Sequence, residues 1–153
     1  MPITIRRKDE LLAKLSRLAP AAKAALTEAN AKTADEMVRL ARSFVPVRTG
    51  RLRASIVATP PGGSPPAHSQ GGVKQVPEGA YAVTAGNRRV RYAHLVEFGT
   101  RPHENAGERA GTHNPGAPAQ PFFFPAYRLV RKAMKSKASR ALNKSIKAVA
   151  AGK

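Results

Sequence analysis

A chain of 153 residues with a net charge of +18 has the size of a single domain with one modest core. Cysteine is absent, which excludes a disulfide framework and thiolate metal sites and fits a reducing compartment. No stretch approaches the length of a transmembrane helix, and the first eight residues carry no apolar run of signal-peptide length.

Five Phe, three Tyr and no Trp leave alanine to fill much of the apolar fraction, which favours close helix packing. The charge is uneven. Glu108 is the last acid, and ten Lys or Arg follow it. So basic a tail repels itself unless something negative lies nearby, such as nucleic acid, an acidic protein surface or an anionic membrane.

Residues 3–7 read as a short extended lead-in. Helical spacing begins near Asp9, an N-cap residue type, and brings Leu11, Leu12, Leu15 and Leu18 to one side. Pro20 interrupts, because proline disrupts a helix interior. The pattern predicts a short helix over 9–18 and a longer one over 20–44, kinked or broken near Pro20. Ala22, Ala25, Leu26, Ala29, Thr33, Met37, Leu40, Ala41 and Phe44 form the stripe of the second. Pro46 ends it, since the residue before a proline disfavours the α region.

Thr49-Gly50 is a turn. From Leu52 the apolar residues alternate through Ala54, Ile56 and Ala58, which predicts a strand. Residues 59–72 are rich in Pro and Gly and are expected to be a mobile loop. Val73–Val76 is a weaker strand candidate, and Tyr81, Val83 and Ala85 alternate as a better one. Tyr92–Phe98 then makes one or two helical turns. Tyr92, Leu95 and Val96 stand at i, i+3 and i+4, so they can share a buried face, with Glu97 pointing elsewhere. Gly99 suits a left-handed C′ position. Residues 101–120 form a second long loop, also expected to be mobile. Pro125 to about Ala150 reads as one long basic helix. The sum is a single α+β domain over 1–153: long N-terminal helix, small antiparallel sheet with long loops, short central helix and basic C-terminal helix.

Little catalytic chemistry emerges. His68, His94, His103 and His113 match no metal-ligand spacing, and no cofactor is expected. Glu97 has no second carboxylate at a recognisable spacing, so it reads as a partner for one of the many arginines. The glycine-rich segments fit no phosphate loop, and no serine sits in a nucleophile elbow. The last helix lacks every compensating acid. Arg128, Arg131, Lys132, Lys135, Arg140, Lys144 and Lys147 therefore form a candidate face for DNA or an acidic partner, with non-specific backbone contact as the expected mode. A membrane-surface role fits poorly, because Trp is absent and bulky residues are sparse on the apolar side.

Three motifs occur in order. Pro46, Thr49, Gly50, Leu52, Ser55 and Ile56 stand in the first. Tyr92, Ala93, Val96, Glu97, Phe98, Gly99 and Thr100 stand in the second. Pro121, Phe122, Pro125 and Ala126 stand in the third. Their order and spacing resemble the head–tail joining, or tail-completion, proteins of tailed double-stranded-DNA bacteriophages related to minor tail protein Z, over about residues 9–150. The inserts at 59–72 and 101–120 depart from that pattern.

The resemblance implies a non-enzymatic virion protein at the head–tail junction, present in the host cytoplasm during assembly. It implies a subunit of a homo-oligomeric ring through which DNA passes, touching other neck and tail proteins and non-specifically the genomic DNA. No membrane or small-molecule substrate is expected. The alternative is a stand-alone, non-specific nucleic-acid-binding protein. Within the first reading Gly50 and Gly99 are fold-determining turns, and Tyr92, Val96 and Phe98 belong to the core or its edge. Glu97 is an ion-pair or capping partner that can reach across a subunit boundary, and Phe122 and Phe124 anchor the last helix.

Overall fold

Small residues at the contact positions let two long helices lie side by side. In the computed structural model residues 8–69, 74–107 and 110–151 are described, the side chains of 8–15 and 17 excepted. The lead-in at 3–7 and Val73 lie outside the described residues, and so do the side chains of Asp9, Leu11, Leu12 and Leu15.

Helix α1 (Lys8–Phe44) is one continuous element that runs through Pro20. Of the two outcomes expected there, a kink or a break, the break does not occur. Proline removes one backbone donor and crowds one turn, a cost of about 3 kcal/mol. Buried Ala29, Ala34, Met37 and Ala41 further along the helix offset it by packing. Helix α4 (Phe123–Ala150) runs antiparallel to α1. Ala41 and Ala126 share one core, Lys137 Nζ donates to Glu36 Oε2 at 2.5 Å, and Lys144 lies near Glu28 at the far end.

Between them the chain makes short pieces. Arg51–Ala54 is a one-turn helix, α2, and strand β1 is only Val57–Thr59. The strand predicted from Leu52 is therefore corrected. The buried residues are Leu52, Ser55 and Ile56, which is i, i+3, i+4 spacing rather than alternation. Gly50, at φ 73°, turns the backbone into α2, and Ser55 Oγ donates to the Leu52 carbonyl at 2.7 Å. β1 pairs antiparallel with β2 (Ala82–Thr84), Ala58 opposite Val83.

Helix α3 (Ala93–Phe98) follows, then the small antiparallel pair β3 (His103–Glu104) and β4 (His113–Asn114). Among its described residues the long loop expected over 101–120 thus carries a short antiparallel pair. Below its tip Thr100 and Ala117 exchange two backbone hydrogen bonds. Val76 forms no named strand, yet it is buried and exchanges backbone bonds of 2.9 Å with Gly62 and Gly63, tying down the proline-rich stretch. The fold is α+β, and its densest core gathers Ala41, Val45, Leu52, Ile56, Ala85, Val90, Ala93, Phe122 and Ala126.

Candidate assembly surface

The three motifs meet at one end of the α1/α4 pair. Ser55 links the first two: its Oγ accepts the Gly86 N–H at 3.1 Å, just ahead of the segment leading to α3. Arg42, from the last turn of α1, donates Nε and Nη2 to the Ile56 carbonyl at 3.1 and 2.8 Å. These bonds seat the turn after Gly50 against the helix end.

Helix α3 is rotated relative to the expectation. It buries Ala93 and Glu97, while Tyr92 and Leu95 are about two-fifths exposed. The reason lies in the third motif. A helix starts with N–H groups that have no intrahelical acceptor. Glu97 supplies the acceptors for α4: Oε2 takes the N–H of Phe122 at 2.8 Å and of Phe123 at 2.9 Å, and Oε1 takes Phe124 at 3.1 Å. The carboxylate is only 5% exposed. Its charge also sits at the positive end of the α4 dipole. Burying an acid is costly unless hydrogen bonds replace its water, and here three do. The capping role foreseen for Glu97 is realised within the chain.

Gly99 ends α3 at φ 73° and ψ 179°, a region essentially reserved for glycine and not the left-handed helical one expected. A Cβ there would stand 2.7 Å from the Ala117 carbonyl oxygen and 2.8 Å from the Ala119 nitrogen. The hairpin base therefore presses directly on the end of α3. Gln120 N–H donating to the Val96 carbonyl at 2.8 Å completes this seam.

The aromatic assignments divide. Phe122 is buried as an anchor, but Phe124 is 44% exposed and Phe98 is 67% exposed. Neither of the latter belongs to the core. Their rings lie 5.9 Å apart and form an aromatic patch beside the cap. Pairing lets each ring shield one face of the other, which explains how two large side chains remain outside.

Members of the first two motifs, together with the hairpin segment that precedes the third, line a cleft of about 700 Å³. Pro46, Thr49, Gly50 and Leu52 form one wall, Tyr92, Leu95, Val96 and Thr100 the second, and Asn114–Gln120 the third. Pro121 is exposed just beyond it. Arg48, Arg51 and Arg89 also line it. Sequence reasoning overlooked them as site residues. The available signal was that the first motif carries arginines and no acid.

The seven candidate basic residues of α4 are all exposed, but they form two rows rather than one face. Arg128, Arg131, Lys132 and Lys135 follow three- and four-residue steps. The five-residue step to Arg140 turns about 140° past a full turn, so Arg140, Lys144 and Lys147 occupy another side. Arg140 and Lys144 line the α1/α4 groove with Glu28 and Lys32. The hydrogen bond and charge of Lys32, and more weakly the charge of Lys144, hold Glu28 below the ordinary glutamate value. The first row has no acid partner among the described residues.

His113 Nδ1 lies 3.0 Å from Glu104 Oε1 across the hairpin, and His103 Nδ1 lies 3.0 Å from the Arg101 carbonyl. Among the described residues no three His, Cys, Asp or Glu side chains gather as a metal site would require, and no helix is long and apolar enough to cross a membrane.

Comparison with known proteins places this arrangement. The family model HK97-gp10_like, described as "Bacteriophage HK97-gp10, putative tail-component", matches residues 9–99, from the start of α1 to the glycine that ends α3. No curated protein and no solved structure matches the chain.

Proposed function

Because the chain belongs to the HK97-gp10-like family of bacteriophage tail components, we propose that it completes or joins the tail at the head–tail junction, as one subunit of a ring through which the genome passes. The observation that carries this reading is the family match over 9–99, which contains the first cleft wall and all of the second but Thr100. The geometry supports a structural role in assembly. The buried acid is engaged by three backbone donors, so it serves α4 and not proton transfer. The exposed Phe98–Phe124 pair offers an apolar contact for a neighbouring copy. A closed ring follows if that contact is heterologous and its rotation closes. The row from Arg128 to Lys135 then supplies a cationic surface for DNA or acidic neighbours.

The test is genetic and structural together. Without the protein, infected cells should accumulate filled heads and separate tails, and electron microscopy of complemented lysates should restore joined particles. Joined, infectious particles formed in its absence would refute the role.

The free basic row also favours the second reading, a protein that binds nucleic acid on its own. If its four cations each meet a phosphate, the logarithm of duplex affinity should fall with the logarithm of salt at a slope of about −3.6. A slope near zero, or one unchanged when the row is replaced by Gln, would remove DNA from the account of that row.

A further inference from the structure

The cleft carries an electrostatic demand that the chain does not meet. Arg48, Arg51 and Arg89 are exposed along its rim, and no Asp or Glu lines it. Among the described residues none of the three has an ion-pair partner. Lys23, Lys32, His113 and Lys137 take Glu78, Glu28, Glu104 and Glu36, and Glu97 is engaged by α4. Between the arginines lie apolar surfaces, with Tyr92 and Leu95 about two-fifths exposed. Cations around an apolar floor match a chain segment that alternates carboxylates with large apolar side chains.

We propose that this cleft is the docking site for an acidic, leucine- or phenylalanine-bearing segment of a different polypeptide. A second copy of this chain fits poorly in the cleft, because its Glu28, Glu36, Glu78, Glu97 and Glu104 are already engaged within their own chain. Nucleic acid fits less well than an acidic peptide. Phosphates need exposed cations, which the first row of α4 offers without a cleft, and they leave Tyr92 and Leu95 unused. The inference rests on the cleft's own chemistry. It can fail while the protein still enters the virion, and virion entry can fail while the cleft still binds.

The test is a fluorescence-anisotropy titration of the full chain with a labelled twelve-residue peptide of alternating Glu and Leu. Replacing Arg48, Arg51 and Arg89 together by Gln should weaken binding about tenfold, from three exposed charge pairs. Replacing Arg128, Arg131 and Lys132 by Gln removes the same charge elsewhere and should change it less than twofold. L95S should weaken it measurably. Equal losses in the two triple variants would reduce the effect to net charge and overturn the site. So would full competition by leucine-free polyglutamate or by a short DNA duplex. Should the cleft variant lose its helical signal, nuclear magnetic resonance on the unaltered chain decides. Shifts of the Arg48 and Arg89 side-chain signals on adding peptide support the site, and shifts confined to α4 overturn it.

Discussion

The two ends of α4 are built on opposite terms. Its first turn is closed by a buried glutamate, anchored by Phe122 and pressed against α3 and the hairpin base. Its last turns are held by small residues beside α1, and lysines face water along them. Specific hydrogen bonds fix the first end, so a single atom matters there. Distributed contact and exposed charge hold the other, so single changes there are mild. The difference separates residues that make the fold from residues that are left for partners, although both kinds occur within the same short motifs.

Glu97→Ala should produce the largest effect. It strands three N–H groups and removes the charge at the helix start, for a loss of about 2–4 kcal/mol in urea unfolding followed by circular dichroism. A loss below about 0.5 kcal/mol would make the two ends equivalent and break the contrast. Gly99→Ala comes next, at about 1–3 kcal/mol, because it adds strain in a glycine-only conformation against the Ala117 backbone. The same measurement checks it, and a neutral result would mean that the seam yields.

Replacing Phe98 and Phe124 together by Ser sharpens the contrast from the other side. Both rings are outside the core, so stability should move by no more than about 0.5 kcal/mol. Sedimentation should nevertheless report a smaller assembly. A stability loss as large as that of Glu97→Ala would return the rings to the core.

The smallest effect concerns pH. Glu78 is held below the ordinary glutamate value by its hydrogen bond and charge pairing with Lys23, and Glu28 likewise by Lys32. A carboxylate whose folded value is depressed stabilises the fold above its unfolded value and loses that contribution as pH falls through the folded one. Both groups are fully exposed. The acid-side loss should therefore be slight and should disappear in high salt. A loss that persists in salt would point to a buried group instead.

Much of this was legible in advance. The two long helices, the turn at Gly50, the strand through Val83 and the family resemblance all follow from spacing and local chemistry. What escaped was orientation. Tyr92, Leu95 and Val96 define an apolar face of α3, but spacing does not say whether that face meets the core or a cleft. Glu97 reads as an arginine's partner because the N–H groups it satisfies lie 25 to 27 residues away. Leu52, Ser55 and Ile56 fit helical spacing as well as Leu52, Ala54 and Ile56 fit a strand. Only the tertiary bonds from Arg42 and to Gly86 separate the two. Proline disfavours a helix interior, and here the packing of α1 from Ala29 onward overrides it. The three rim arginines emerged only when distant segments came together around one cavity.

The antiparallel pairing of α1 with α4 also sets a schedule. Every strand and both short helices lie between these two in the chain, so α1 has its partner only once α4 has left the ribosome. Until then the alanine-rich side of α1 stays uncovered, and the cap at Glu97 has no helix to close. Completion of the fold therefore waits for α4 to be synthesised. It is also the step at which two nascent copies, crowded on one messenger, can exchange their α4 helices instead of keeping their own.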